Sequence, residues 1–298
     1  MCKNGSRLKM QFGIRSPKHD DGLLRELDDM KYISVVRDFD MYDRCVRRNP
    51  NNSGAQFVWC DNNVENVPIP VRYNLFLDDC RDCDDWLVFC HEDFQFCEPL
   101  EGKLSSMDKG AIYGVFGARL AMPGVGLQVD SNKDGSDASF RGSHITKATL
   151  VDTVDCACLI VHSSLVLRYG LRFDENLTYD LYTEDFGISA HERFGVKTYV
   201  LPIKSHHYSY GNIMPRFYEQ LNYLNRKYSD ASCIYVTTTS YAIGRSDKLN
   251  EILALLRSRH RIPFKWLFYK KISHRGRLII KILGIPIWNS RKFSCDFW

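Results

Sequence analysis

The sequence lacks any long apolar run. No window of its 298 residues reaches the roughly 18 consecutive apolar residues that a membrane-spanning helix needs, and residues 1–30 hold no apolar core of signal-peptide length. Low-complexity tracts and internal repeats are also missing. These absences argue against membrane-spanning, exported and repeat-built proteins, so we expect a cytoplasmic protein.

The cysteines lack the pattern of a disulfide framework. There are 11 of them, an odd number, in a long chain without a visible export signal, so reduced thiols are the expectation. Cys80 and Cys83 form a C-x-x-C pair, but a second close pair is missing. This disfavours a zinc site and leaves buried or incidental thiols as the better interpretation.

Acidic residues are almost absent from the C-terminal segment. Between Arg257 and Lys292 the chain has eleven Lys or Arg and no Asp or Glu. With Asp296, the segment 257–298 carries +10, which leaves −6 of the net charge of +4 on residues 1–256. A basic tail on an acidic body attracts phosphate groups, either of a nucleic acid or of an anionic membrane.

Apolar, β-branched runs alternate with helical patterns through the rest of the chain. Strands are predicted at KYISVV (31–36), AQFVWCDNN (55–63) and DWLVFCHEDF (85–94), with helices between them. This alternation predicts a layered α/β fold, with a mostly parallel sheet flanked by helices. We expect three parts: an N-terminal lead-in (1–30), a main domain (31–245) and a basic amphipathic C-terminal extension (246–298).

Polar side chains follow all three strands at the point where each ends: Arg37 and Asp38, then Asp61 and Asn62, then His91, Glu92 and Asp93. Ligands of open α/β sheets bind at this edge. Asp93 stands between large aromatics directly after an apolar strand, and a partly buried carboxylate needs a partner. A divalent cation that holds a diphosphate is such a partner, while helix capping and a surface charge are the structural alternatives.

Two further groups of polar residues are candidates for chemistry. Glu184 and Asp185 open a predicted helix, where acids either complement the helix dipole or act as a general base towards a substrate hydroxyl. His206 and His207 end a predicted strand. Because neighbouring residues of a strand point to opposite sides, at most one of them faces a site. That residue could either form a structural hydrogen bond or act as a metal ligand, and the sequence leaves both roles open.

Residues 124–143 have the composition of a long polar loop. Asp130, Asn132 and Asp134 imitate the first positions of a calcium-binding loop, but Arg141 stands where the bidentate Glu belongs and no helix leads in. We therefore expect a flexible loop and no calcium site.

Several segments between Lys31 and Tyr228 together resemble a family 2 glycosyltransferase of the GT-A fold. In chain order, they are YISVV, FVWCDNN, VRYNLFLDD, FCHEDFQF, DTVDCACLIVHSSLVLRYGLRFDENL, YTEDFGISAHERFGVKTYVLP and SHHYS. The chain departs from the family pattern at two points. His91 replaces the first Asp of the metal motif, and the first strand ends in VVRDFD.

The resemblance implies inverting transfer of a sugar from a nucleotide-diphosphate donor to a hydroxyl group of a glycan or lipid-linked acceptor. Asp93 would hold Mg²⁺ or Mn²⁺ on the diphosphate, with His206 or His207 completing the metal shell. Asp185 would be the catalytic base, and Glu184 would orient it or bind the acceptor. Asp155 would line the acceptor pocket, and the donor-binding residues would be Arg37, Asp38, Asp61, Asn62, Asn74, Glu92 and Asp93.

The basic tail suits a lipid-linked acceptor. Its segment FKWLFYKKISHRGRLIIKILGIPIW (264–288) mixes cations, aromatics and aliphatics, and Pro286 limits any helix. We expect this segment either to lie on an anionic membrane surface or to pack on the domain as a basic helix. Similar tails occur on bacterial enzymes that build lipopolysaccharide or capsule, so a peripheral position on the inner face of the cytoplasmic membrane is expected.

Two other functions stay open. A catalytically inactive sugar-nucleotide-binding protein of the same fold would explain the missing first Asp of the metal motif. A nucleic-acid-binding protein would use the basic tail, but the acidic body and the lack of an RNA-binding signature argue against it. We therefore expect no nucleic-acid partner.

Overall fold

The computed structural model describes residues 11–12, 30–80, 84–119, 122–131, 137–209 and 213–244, and the backbone of three strands between residues 268 and 289. The chain divides into two compact units, Met1–Arg245 and Ser246–Trp298. Of the predicted N-terminal lead-in (1–30), only residues 11–12 and 30 are among the described residues.

The first unit alternates strands and helices. Its strands are β1 (Gln11–Phe12), β2 (Met30–Val36), β3 (Gln56–Asp61), β4 (Trp86–Cys90), β5 (Phe94–Phe96), β6 (Ile112–Gly114), β7 (Phe116–Arg119), β8 (Met122–Ser131), β9 (Asp137–Arg141), β10 (Thr149–Val151), β11 (Thr153–Val154), β12 (Cys158–His162), β13 (Thr198–Val200), β14 (Lys204–His207), β15 (Tyr235–Val236) and β16 (Ala242–Ile243). Its α-helices are α1 (Phe39–Tyr42), α2 (Ile69–Asp79), α3 (Glu101–Leu104), α4 (Ser163–Tyr169), α5 (Tyr182–Phe194) and α6 (Pro215–Lys227).

A central sheet of eight described strands organises this unit, in the order β1-β3-β2-β4-β12-β6-β13-β10. Strands β3, β2 and β4 are parallel neighbours, as are β6 and β13, while β12 runs antiparallel between these two groups. The edge strands β1 and β10 are also antiparallel to their neighbours. Five of the eight strands therefore share one direction, and the predicted α/β fold with a sheet flanked by helices is confirmed.

Apolar side chains cover both faces of the central sheet. All five residues of β4 are buried, because Leu87 and Phe89 pack towards α2, α5 and α6, while Val88 packs on the opposite face with Tyr42 of α1. A strand that is buried on both faces shows a continuous apolar run with no alternation, as WLVFC does. Cys45, Cys90 and Cys158 are buried free thiols in this core.

A second sheet lies beside the first, in the order β11-β7-β8-β14-β5, with β9 paired to β8. The prediction of a loop over 124–143 was wrong, because β8 and β9 occupy most of this range. The predicted strand that ends at His206 and His207 is β14 of the second sheet, and β13, just before it in the chain, belongs to the central sheet. Partner strands satisfy the backbone of these polar, glycine-rich segments, and local composition does not report that pairing.

Gly126 allows β8 to approach its neighbour closely. Its φ is +115°, a conformation that L side chains rarely adopt, and a Cβ there would lie 2.2 Å from the carbonyl oxygen of Val115. The glycine that gave residues 124–143 the composition of a loop is therefore needed for packing between strands.

The second unit contains a three-stranded antiparallel sheet, with β17 (Phe268–Ile272), β18 (Leu278–Ile282) and β19 (Ile285–Asn289). Part of the segment 264–288, for which a basic helix was one alternative, therefore forms strands. Throughout the described part of the chain, no helix has the length and apolar character required to cross a membrane.

Candidate functional site

A polar cleft opens where β2, β3 and β4 end. It has a volume of about 630 Å³, and its lining comes from the ends of these strands, from the loop before α2, from the segment before α5 and from the start of α6. The lining residues are Val35, Arg37, Asp38, Asn62, Asn63, Asn66, Val67, Pro68, Ile69, His91, Glu92, Asp93, Thr178, Tyr179 and Arg216. This is the edge of the sheet at which the sequence predicts a ligand site.

Two residues that line the cleft, His91 and Asp93, form with His207 a group of side chains that could hold a metal ion. His91, Asp93 and His207 each offer one ligand atom, and these atoms lie within 4.8 Å of one another. Strand β14 pairs antiparallel with β5, which sets His207 opposite Phe94. This register brings His207 Nε2 to 3.3 Å from Asp93 Oδ1. The predicted ligands Asp93 and His207 thus come together, and His91 joins them.

His206 lies outside this cluster. Its ring stacks on Tyr208, with the centroids 4.2 Å apart, as the alternation of side chains along β14 requires. Of the two histidines that the sequence could not separate, the structure places His207 at the cluster. The sequence did not predict His91 as a metal ligand and noted it only as a replacement for the first Asp of the metal motif. Its position two residues before Asp93 was the signal that could have identified it as a ligand.

The cluster is electrostatically coupled. Burial is the largest effect on His207 and opposes its protonation, but the nearby carboxylates of Asp93, Asp155 and Asp130 together raise the pKa of the imidazole. Burial is also the largest effect on Asp93 and opposes its ionisation, but the charge and hydrogen bond of His207 and the charge of His91 together lower the pKa of the carboxyl. Burial lowers the pKa of His91, and repulsion from His207 adds to the effect.

This donor set fits a divalent metal. His207 Nε2 is buried without a hydrogen-bond partner although it lies beside Asp93, and an unsatisfied buried nitrogen aimed at a carboxylate suits a shared cation. Two imidazoles and one carboxylate leave coordination positions for water or for substrate oxygens.

Two of the predicted donor-binding residues organise the walls of the cleft. Glu92 accepts backbone hydrogen bonds from the N–H groups of Arg37 and Asp38, the latter at 3.0 Å. Asn62 exchanges two hydrogen bonds of 2.9 Å with the backbone of Val67 and so closes the loop before α2. Four predicted donor-binding residues line the cleft: Arg37, Asp38, Asn62 and Glu92. The side chains of Glu92 and Asn62, however, form hydrogen bonds with the protein backbone.

Asp61 and Asn74 are not among the cleft-lining residues, which departs from the prediction. Asp61 is exposed, and its carboxylate accepts a 2.9 Å hydrogen bond from the N–H of Asn63. Asn74 is buried, and its amide both donates to and accepts from the backbone of Phe173, each at 2.9 Å. Asp61 therefore stabilises the turn after β3, and Asn74 joins α2 to the segment before α5.

Arg216 and Tyr179 line the cleft without having been predicted. The Arg216 guanidinium lies 4.9 Å from the centre of the Tyr179 ring and donates a 2.8 Å hydrogen bond to Asp180. Tyr179 in turn stacks on His91, with the ring centres 5.8 Å apart. These contacts stack a cation on the ring that itself stacks on His91. Neither residue belongs to a sequence motif, and only the folded chain brings them to the strand ends.

Glu184 is buried on the side of α5 that faces Asp155. Its Oε2 accepts a hydrogen bond from Cys156 Sγ at 3.3 Å and lies 3.1 Å from Thr183 Oγ1. Burial and then the charge of Asp155 raise the pKa of the Glu184 carboxyl to about 8. An acid whose pKa lies close to neutral pH suits proton transfer.

Asp155 lies between β11 and β12, and two hydrogen bonds hold its carboxylate in place. Its Oδ1 accepts from the N–H of Ala157 at 3.0 Å, and its Oδ2 accepts from Thr238 Oγ1 at 2.9 Å. The Asp155 charge acts on His91, His207 and Glu184 alike. The charge of Asp155 therefore affects both the group of possible metal ligands and the buried acid Glu184. This suits the predicted place of Asp155 beside an acceptor.

Asp185 points in a different direction from Glu184 and takes part in a structural ion pair with Lys227. Its Oδ1 accepts from Lys227 Nζ and from the Tyr228 hydroxyl, each at 2.7 Å. Lys227 also contacts Asp174 at 2.6 Å. Burial raises the pKa of Asp185 against the opposing charge of Lys227, while the pKa of Asp174 is about 2, because the hydrogen bonds from Lys227 and its neighbours outweigh the effect of burial.

Comparison with known proteins gives distant likenesses. No protein-family model matches the chain, and no curated protein matches it. Its structure is similar to the crystal structure of GalNAc-T7 with UDP, GalNAc and Mn²⁺, at 10% identity and a TM-score of 0.45 over 86% of this chain and 65% of the other. It is also similar to the crystal structure of A197 from STIV, at 11% identity and a TM-score of 0.35 over 72% of this chain and 93% of the other. Both likenesses are too distant to carry an argument about function.

Lys227→Met is expected to destabilise the protein by about 3 kcal/mol, because it leaves the buried Asp185 carboxylate without its cation. Urea denaturation measures the loss. The matched control is Arg226→Met, an exposed change one residue earlier in α6 that should shift stability by no more than about 0.5 kcal/mol. Equal stability of the two variants would contradict a structural role for the ion pair.

Glu184→Gln is expected to change how stability depends on pH. The folded carboxyl has a pKa of about 8 against an ordinary value of 4.5, so between these values the folded state keeps a proton that the unfolded chain has released. The wild type should therefore lose stability as the pH rises through this window, and the amide, which does not ionise, should not.

The melting temperature of Glu184→Gln relative to wild type should accordingly rise between about pH 5 and about pH 9. Glu219→Gln, an exposed change on α6, controls for the loss of a carboxylate. A difference between Glu184→Gln and wild type that stays constant over the range would show that the carboxyl does not retain its proton on folding.

Proposed function

We propose that the protein is a metal-assisted glycosyltransferase that uses a nucleotide-diphosphate sugar. The observation that carries the proposal is the cluster of His91, Asp93 and His207, two of whose members, His91 and Asp93, line a polar cleft of about 630 Å³. Clefts of this size bind small ligands and cofactors. Arg37 and Arg216 add two cations to the same cleft, which suits the negative charge of a diphosphate.

The metal ligands favour Mn²⁺ over Mg²⁺. Imidazole nitrogen is a poor ligand for Mg²⁺, which prefers oxygen, whereas transition metals accept both imidazole and carboxylate. When bound, such a metal neutralises charge on the diphosphate that leaves with the nucleotide. The protein's part is to hold the ligands beside Arg216, whose own position is fixed by Asp180.

Glu184 is the better candidate for the general base in an inverting transfer. The sequence pointed to Asp185, but that carboxylate is engaged by Lys227 and Tyr228. Glu184 faces Asp155, which we propose to bind the acceptor together with Thr238. With its pKa at about 8, Glu184 accepts a proton readily once ionised, because its basicity is close to the working pH.

The acceptor we propose is a glycan or lipid-linked glycan of bacterial surface-polysaccharide synthesis, such as lipopolysaccharide or capsule. The support is the basic C-terminal segment, with eleven Lys or Arg between Arg257 and Lys292. Such a segment binds anionic headgroups at about 1 kcal/mol for each cation near the surface. It would hold the enzyme peripherally on the inner face of the cytoplasmic membrane, near a lipid-linked acceptor.

Nucleotide binding is tested with a thermal-shift screen of UDP, GDP, CDP and dTDP, with and without Mn²⁺. A ligand at 100 times its Kd stabilises the folded state by about 2.7 kcal/mol, so one nucleotide should raise the melting temperature in a metal-dependent way. His207→Asn should abolish that metal dependence. His206→Asn is the matched control and should retain it, because His206 lies outside the cluster. No shift with any nucleotide would overturn the proposal.

The base assignment is tested by comparing Glu184→Gln with Asp185→Asn. Glu184→Gln should keep the nucleotide shift and lower kcat by about 10²–10⁴-fold, whereas Asp185→Asn should mainly lower stability. A folded Asp185→Asn variant that binds nucleotide without turnover, beside an active Glu184→Gln variant, would return the role to Asp185. A wild type that binds nucleotide but transfers no sugar to any acceptor would indicate a non-catalytic binding protein.

Membrane association is tested by co-sedimentation of the full-length protein with vesicles. Vesicles that contain phosphatidylglycerol should bind it, and the binding should weaken as salt rises, because the attraction is electrostatic. Pure phosphatidylcholine vesicles are the control. Equal binding to both, or to neither, would contradict the role of the basic segment.

A further inference from the structure

The hydroxyl of Tyr182 connects the metal cluster to the body of the protein. Tyr182 is the first residue of α5 and is completely buried. Its oxygen lies 2.7 Å from His91 Nε2 and donates a hydrogen bond of 3.1 Å to the backbone carbonyl of Cys156. The segment YTEDFG, which begins with Tyr182, was singled out for Glu184 and Asp185, and the proposed function gives this side chain no role.

The number of protons decides the direction of the Tyr182–His91 hydrogen bond. A tyrosine hydroxyl has one proton and can otherwise only accept. The carbonyl of Cys156 can only accept, so the Tyr182 proton is engaged there. The 2.7 Å contact with His91 is then a hydrogen bond only if His91 Nε2 carries a proton and donates it to Tyr182.

We infer that Tyr182 is a positioning residue, which holds neutral His91 in the tautomer with a proton on Nε2 and leaves Nδ1 as its metal-binding atom. The inference rests on the proposed function only in that the cluster of His91, Asp93 and His207 binds a metal. Partners of this kind orient metal-bound histidines and fix their tautomer in many metal sites.

The backbone around Tyr182 is built to keep its hydroxyl in place. Leu181, directly before it, has a φ of +62°, a left-handed conformation that is uncommon for a residue with a side chain. On the other side, Thr183 Oγ1 donates a 3.0 Å hydrogen bond to the carbonyl of Val154. The first turn of α5 is thus tied to the chain just before β12, where the Cys156 carbonyl lies.

The same turn links the cluster to the buried acid. Cys156 accepts the Tyr182 proton on its carbonyl oxygen, and its thiol donates to Glu184 Oε2. Helix α5 therefore orients a metal ligand with its first residue and presents Glu184 two residues later. A purely structural role is the alternative, because the Tyr182 ring packs against Tyr73 and Phe173 with centroid distances of 5.9 and 6.0 Å.

The first measurement needs no variant. In the metal-free, full-length protein, ¹⁵N chemical shifts of the histidine rings distinguish a proton on Nε2 from one on Nδ1. We expect His91 to show the Nε2-protonated form at a pH where it is neutral. Assignment comes from the loss of its signals in His91→Asn. A His91 ring with its proton on Nδ1 would overturn the inference.

The second measurement compares Tyr182→Phe with Tyr73→Phe. Both remove one hydroxyl from the same buried aromatic cluster, but only Tyr182 contacts His91. Tyr182→Phe should mix the His91 tautomers and weaken Mn²⁺ binding, measured by calorimetry without nucleotide, by about 10–100-fold. Tyr73→Phe should change neither. Unchanged tautomer and affinity in folded Tyr182→Phe would show a structural role only.

These results separate the inference from the proposed function. Tautomer and Mn²⁺ affinity are read without donor or acceptor, so a protein that shows both effects but transfers no sugar would overturn the transferase proposal alone. Conversely, sugar transfer by a Tyr182→Phe variant with wild-type Mn²⁺ affinity would overturn the positioning role alone.

Discussion

Strand β4 is the constraint on which the site depends. Its five residues are buried on both faces, between a parallel partner, β2, and an antiparallel partner, β12. The strand cannot continue into the core with His91, Glu92 and Asp93, because charged groups without partners are costly to bury. The chain therefore leaves the sheet at Cys90, and these three side chains find partners at the sheet edge: Tyr182, the N–H groups of residues 37–38, and His207.

The antiparallel insertion of β12 explains why the metal cluster and the buried acid are neighbours. Because β12 runs against β4, its first residues lie beside the last residues of β4, and the N–H of His91 bonds to the carbonyl of Ala157 at 3.1 Å. Asp155 and Cys156, just before β12, thus reach both His91 and the first turn of α5. An all-parallel order would place the start of β12 at the other end of the sheet.

Environment assigns different roles to acids that look alike. Glu184 and Asp185 are adjacent, yet one faces Asp155 and a thiol while the other meets Lys227 and a tyrosine hydroxyl. The first retains its proton up to a pKa of about 8, whereas the second is engaged in an ion pair between α5 and α6. Residues one apart on a helix point about 100° away from each other, so neighbouring acids reach separate environments.

The amino-acid sequence by itself determined the layered α/β fold, the points at which two helices end and the edge at which polar groups gather. These features follow from local signals: the hydrophobic period, the acids that end strands, and glycines. Helices α4 and α5 end at Gly170 and Gly195, which both have positive φ. The sequence identified Asp93 as a candidate metal ligand because a carboxylate directly after a buried strand needs a partner.

Only the tertiary structure decided which of His206 and His207 reaches Asp93, because that depends on the register of β14 against β5. It also turned a predicted loop into β8 and β9, brought Arg216 from α6 into the cleft, and directed Asn74 to the backbone of Phe173. Each of these outcomes rests on a contact between segments that are distant in the chain. Local composition carries no record of such a partner, and the free energy that selects the contact arises only when both segments are packed together.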